Sequence, residues 1–114
     1  MTVYVLHLDP PLKHASHYIG YTPDPTAERR VAEHLSGGAK ASPLIAAALK
    51  AGSVVRVAHV VEGDAAGRDF ERWLKAGKDT RAWCPCCGEN RRRLPDPSRI
   101  TARFRASKVD RNSA

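Results

Sequence analysis

Two short extended stretches close together set what this chain can become. Val3-Tyr4-Val5-Leu6-His7-Leu8 is β-branched and aromatic with few breakers, and His17-Tyr18-Ile19-Gly20-Tyr21-Thr22 resumes the same character. Only the segment 9–16 separates them, and it opens with Asp9-Pro10-Pro11. Proline has no N–H for a ladder, so the first strand is expected to stop there. Strands this near in sequence pair most economically as an antiparallel hairpin.

Helix signals follow. Asp24-Pro25 offers a cap and a proline at the first helical position, where the missing N–H costs nothing. Ala27, Val31 and Leu35 form a stripe at i, i+4, i+8, and Gly37-Gly38 ends the helix. Ser42-Pro43 repeats the start for a second helix with Leu44, Ile45, Ala48 and Leu49 on its apolar face, closed by Gly52. Residues 53–62 carry five valines and read as a third strand. Gly63-Asp64 then leads a third helix, about Ala65 to Ala76, that buries Ala66, Phe70, Trp73 and Leu74. The order β-β-α-α-β-α implies an α+β fold: a small three-stranded mixed or antiparallel sheet flanked by three helices.

Charge divides the chain. The formal net charge is +7 with a pI near 9.8. Residues 1–90 hold 11 Lys/Arg against 10 Asp/Glu, whereas 91–114 hold 8 against 2. We therefore expect a folded domain over 1–90 and a basic, loosely ordered C-terminal tail over 91–114. Its Arg91, Arg92, Arg93, Arg103 and Arg105 suit a phosphate backbone, pointing to nucleic acid as partner. No apolar run approaches the ~20 residues of a membrane span, and Met1 to Leu8 lacks the basic start of a signal peptide. A cytoplasmic protein without membrane contact is expected.

The residues best suited to chemistry lie on these elements. Tyr4 and Tyr18 sit on the hairpin strands, Arg30 and His34 share one side of the first helix, and Glu71 is a carboxylate on the third. Phosphodiester hydrolysis needs an activated water, charge stabilisation on the phosphate and help for the leaving oxygen. A planar, permanently charged guanidinium suits the phosphate, and one carboxylate can hold a divalent ion that keeps most of its waters.

These elements resemble the GIY-YIG nuclease family. Thr2-Val3-Tyr4 stands in place of the Gly-Ile-Tyr element, and Tyr18-Ile19-Gly20 matches Tyr-Ile-Gly outright. Arg30-Val31-Ala32-Glu33-His34 is similar to the family's arginine and histidine spacing, and Glu71 to its metal-binding glutamate. The likeness covers about residues 2–80. It implies an endonuclease hydrolysing DNA phosphodiester bonds with one Mg²⁺ or Mn²⁺ on Glu71. Tyr18 would be the base or water-positioning group, Tyr4 its neighbour at the scissile phosphate, Arg30 the phosphate contact and His34 an aid to proton transfer. A tyrosine base needs support, because a free phenol ionises only near pH ~10; a neighbouring arginine and the metal would supply it. The first triplet lacks its glycine and isoleucine, and Tyr21 stands where some relatives have a lysine. Some members place an asparagine beyond the glutamate, and Asn90 is the candidate here. Nothing reads a 2′-hydroxyl, so RNA stays open beside DNA. A protein partner for targeting is consistent with the small size. A catalytically silent nucleic-acid-binding module of the same fold is the alternative.

Cys84, Cys86 and Cys87 form a second feature. Bunched and odd in number, they do not make a secreted disulfide framework. Cys84-Pro85-Cys86-Cys87 holds one C-x-x-C, half of a zinc knuckle, so zinc would need Cys86, a histidine or another chain to complete it. Plain thiols or a redox-sensitive site are the other readings, as is a zinc-stabilised interaction domain. His7, His14, His17, His34 and His59 are all remote in sequence from the cysteines. Trp83 is expected to pack rather than stack on a base.

Overall fold

The computed structural model describes residues 1–77, 80–87 and 94. Its elements run β1 (Thr2–Leu12), β2 (Ala15–Thr22), α1 (Glu28–Leu35), α2 (Pro43–Lys50), β3 (Val54–Glu62), α3 (Arg68–Gly77) and a short α4 (Thr80–Trp83), followed by a 3₁₀ turn over Pro85–Cys87. The sheet order is β2-β1-β3 and both pairings are antiparallel. The α+β expectation holds, with α4 and the 3₁₀ turn added beyond the three expected helices.

Strand alternation splits the core in two, because successive side chains point to opposite faces. One face buries Val3, Val5 and Ile19 with Ala66, Phe70 and Leu74 around α3, and Trp83 of α4. Leu94 packs against this cluster. The other face buries Tyr4, Leu6 and Leu8 with Ala27, Ile45 and Ala48, covered by α1 and α2. Across β1–β3 the register slips between Val5 and Leu6, where Val5 pairs His59 and Leu6 pairs Val57. The extra residue, Ala58, lets β3 keep both faces in step with β1.

Several local expectations change. Asp9-Pro10-Pro11 does not stop β1. The hairpin register is broken between His7 and Leu12, so no β2 ladder donor is demanded of the prolines. The β3 side continues to Asp9↔Val54, and the Ser53 hydroxyl donates to the Pro10 carbonyl at 2.7 Å. Helix α1 begins at Glu28 rather than Pro25, and Ala27 is its N-cap without a side-chain cap bond. Asp24 instead takes a bidentate grip from Arg29, at 3.0 and 3.1 Å. The α1 stripe is also rotated: Ala27 is buried and Val31 half-buried, but Leu35 is exposed and His34 lies fully inside. Helix α3 starts at Arg68, because Gly63 to Gly67 forms a turn in which the Ala66 N–H bonds the Gly63 carbonyl at 3.0 Å. Trp73 is half-buried against the α3-side core.

Among the described residues no helix is long and apolar enough to cross a membrane. Asn90 and the tail arginines Arg91, Arg92, Arg93, Arg103 and Arg105 lie outside the described residues.

Candidate functional site

Two groups of chemically capable side chains flank the sheet, one on each face. On the α1/α2 face, the hairpin register sets Tyr4 opposite Gly20 and Leu6 opposite Tyr18. Paired residues share a face, so the two phenols point the same way, toward α1. Gly20 is what admits Tyr4: a Cβ there would come within 2.3 Å of the tyrosine ring. Helix α1 supplies His34 and Arg30, one turn apart.

His34 ties the group together. It is fully buried, as is Tyr4. The Ser42 backbone N–H donates to His34 Nδ1 at 3.0 Å, so that nitrogen carries a lone pair. A neutral ring then has its proton on Nε2, and Nε2 lies 2.7 Å from the Tyr4 hydroxyl oxygen. The chain of donors therefore runs Ser42 N–H to His34 to Tyr4, and leaves the Tyr4 O–H to donate onward. Burial, aided by the charge of Arg30, holds the His34 pKa below its ordinary value, which agrees with a neutral ring. Burial likewise raises the Tyr4 phenol pKa well above its usual range, and the neighbouring Tyr18 adds to it. Tyr4 thus stays a protonated donor.

Tyr18 and Arg30 are the partly exposed members. The Tyr18 ring stands edge-on to His34, with centroids 5.0 Å apart, and 6.3 Å from the Tyr4 ring. Arg30 Nη1 donates to Glu33 at 2.9 Å and to the Lys40 carbonyl at 2.7 Å. Partial burial works against its charge, but Glu33 and the two phenols outweigh that and raise its pKa. A fixed cation beside two phenols can bind an anion and polarise an oxygen on it.

Glu71 is held on the helix that packs across the other face. Its carboxylate is 9% exposed and lies 3.4 Å from Lys75 Nζ, one turn along α3. Of the five residues singled out for catalysis, the structure gathers Tyr4, Tyr18, Arg30 and His34, while Glu71 is carried by α3. A separate groove of 510 Å³ between α1 and β3 is lined by Ala27, Val31, Leu35, Val57 and Val60 and includes no member of either group.

The second group occupies the α3 face. His7 and His17 are directly paired across the hairpin, with rings 5.2 Å apart. The segment 80–87 folds over them. Trp83 is buried, and His59 Nε2 donates to its carbonyl at 2.7 Å. The 3₁₀ turn then closes with the Cys87 N–H on the Cys84 carbonyl at 3.3 Å, and three residues per turn bring Cys84 and Cys87 to one side. One ligand atom from each of His7, His17, Cys84 and Cys87 lies within 4.8 Å of all the others, so the four can hold a metal ion. Cys86 is exposed and outside this group, contrary to the expectation that it would help complete a zinc site. The turn that aligns positions i and i+3 carries position i+2 outward. Of the ligands considered to complete the set (Cys86, a histidine or another chain), the structure brings up histidines, His7 and His17, although both are remote in sequence.

No protein-family model, no curated protein and no solved structure matches this chain.

Proposed function

We propose that this protein is a metal-dependent endonuclease that hydrolyses DNA phosphodiester bonds at the Tyr4–Tyr18–Arg30–His34 cluster. The observation that carries the reading is the convergence of these four side chains, from two strands and a helix: Tyr4 and His34 share a hydrogen bond, the Tyr18 ring stands against both, and the Arg30 charge lies beside the two phenols, with Tyr18 and Arg30 at the accessible edge. That convergence is what the GIY-YIG-like spacing implies.

The buried and accessible members divide the work. Arg30, its Nη1 end fixed by Glu33 and Lys40, turns the rest of its fork to a phosphate oxygen and opposes the charge that builds there. Tyr18, the phenol a substrate can reach, positions the attacking water by accepting its hydrogen bond, and as it takes the water's proton it passes its own phenolic proton to bulk solvent. Tyr4 remains protonated, so it acts from within the core as a donor that orders Tyr18. His34 holds Tyr4 in place from within the core.

Glu71 fits the divalent ion in donor type. Mg²⁺ and Mn²⁺ accept one carboxylate while keeping waters, and the half-exposed Lys75 opposite it can swing aside. When bound, the ion would lower the pKa of a coordinated water and offset phosphate charge. The thiol and imidazole cluster on the α3 face offers donors that Mg²⁺ disfavours, and it takes no part in this reaction.

Nicking of supercoiled plasmid in Mg²⁺ or Mn²⁺ tests the proposal. Cutting should need the metal and should vanish in Tyr18→Phe, Arg30→Ala and Glu71→Ala, each shown to be folded. Cutting that survives Glu71→Ala would remove Glu71 from the site. No cutting of plasmid or branched DNA, together with salt-sensitive binding, would replace the enzyme by a silent nucleic-acid-binding module.

A further inference from the structure

His7 Nδ1 has more close partners than an imidazole nitrogen can serve. It lies 3.4 Å from His17 Nε2, 3.6 Å from Cys84 Sγ and 3.6 Å from Cys87 Sγ. A ring nitrogen has either one proton or one lone pair, so hydrogen bonding satisfies one of these contacts and leaves the others without a cause. Cys87 Sγ lies 3.2 Å from His17 Nε2 as well as 3.6 Å from His7 Nδ1.

A shared cation explains all of them at once. Tetrahedral zinc has Zn–N bonds of about 2.0–2.1 Å and Zn–S bonds of about 2.3 Å; the edges of that tetrahedron come to about 3.3 Å between nitrogens and about 3.5 Å between sulfur and nitrogen. The distances of 3.4, 3.6, 3.6 and 3.2 Å follow those edges. We propose that His7 Nδ1, His17 Nε2, Cys84 Sγ and Cys87 Sγ bind one Zn²⁺ in a closed, four-coordinate structural site.

The donor set selects the metal. Two thiolates with two imidazoles favour zinc over Mg²⁺, Ca²⁺ or Mn²⁺, which prefer oxygen. Four protein ligands leave no position for water or substrate, and that separates a structural ion from a catalytic one. Two ligands come from the hairpin and two from the segment 80–87, so the ion staples that segment to the sheet. Trp83 and His59 already hold the segment in place beside it. A cleft of 280 Å³ lined by His7, Arg81 and Cys87 gives the ion an entry path.

Metal analysis of the full chain, purified under reducing conditions without a metal-affinity tag, tests the site. We expect one zinc per chain, retained in Cys86→Ser and lost in Cys84→Ser and in Cys87→Ser. Where those variants do not fold, the chelated wild-type chain is titrated with Co²⁺. One equivalent should then bind and give the intense visible bands of tetrahedral cobalt with thiolate charge-transfer absorption, abolished by one equivalent of Zn²⁺. Failure of the wild-type chain to take up zinc or cobalt would overturn the proposal. So would full zinc content in a Cys84→Ser/Cys87→Ser double variant, or octahedral cobalt spectra.

Discussion

His17 and Tyr18 are neighbours in the chain and work on opposite faces of the same sheet. The α1/α2 face joins phenols, an imidazole and a guanidinium into a network of uncharged donors with one cation at its rim. The α3 face joins imidazoles and thiols into a set of nitrogen and sulfur electron-pair donors that can converge on one ion. The same backbone register builds both, because period-two alternation delivers Tyr4 and Tyr18 one way and His7 and His17 the other. A one-residue slip would exchange the two sets, so each site helps to fix the register the other needs.

The sharpest way to separate the faces is to remove the cation from one of them. Arg30→Ala should lower plasmid nicking by about 10²–10³-fold, the scale for losing one donor that stabilises developing charge. Zinc content should stay at one per chain, because Arg30 touches no ligand of the cysteine site. Loss of zinc in Arg30→Ala would mean that the faces are coupled through the sheet and would break the comparison.

Gly20→Ala probes packing instead of charge. The added methyl would meet the Tyr4 ring at 2.3 Å, and Tyr4 has no exposed side to move toward. Overpacking a filled core costs about 1–3 kcal/mol, and this overlap falls at the upper end, about 3 kcal/mol. Chemical denaturation should show that loss, while His7 and His17 keep their pairing and the chain keeps its zinc. Unchanged stability would show that Tyr4 is not pinned over Gly20.

The contrast between faces also explains what the sequence revealed. Element order and the hairpin were legible from strand-forming runs and proline-glycine punctuation, which act locally. The tyrosine, arginine and histidine positions were legible because α1 and the hairpin lie close in sequence. The four residues that can hold a metal were harder, since His7 and Cys84 meet only after the whole sheet and the four helices between them have formed. A signal did exist. Once the hairpin register is set by Tyr4 opposite Gly20, counting outward places His7 opposite His17, a paired-histidine position on one face. The exposure of Leu35 and burial of His34 had no such local signal: an apolar stripe predicts which residues can be buried, and the hydrogen bonds from Ser42 and to Tyr4 decided that a histidine was.

The smallest predicted effect is a pH dependence that weighs one face against the other. His34 is neutral in the folded chain, and burial holds its pKa below the ordinary 6.5. In the metal-free chain burial also lowers His17, to about 4, with the His7 and Arg81 charges contributing. The unfolded chain binds these protons below pH ~6.5 while the folded chain resists them, so unfolding free energy rises with pH there. Stability should therefore be flat above that point as far as these groups are concerned, and fall as the solution is acidified toward the folded pKa values. Each histidine adds a slope of up to about 1.4 kcal/mol per pH unit. With both acting, the chelated chain should lose stability more steeply on acidification than a chelated His34→Gln variant, measured by denaturant unfolding between pH 6.5 and 4.5. The slope is the readout, so an overall loss of stability in the variant does not obscure it. An identical slope would mean that His34 does not resist protonation, and the relay from Ser42 through His34 to Tyr4 would lose its neutral link.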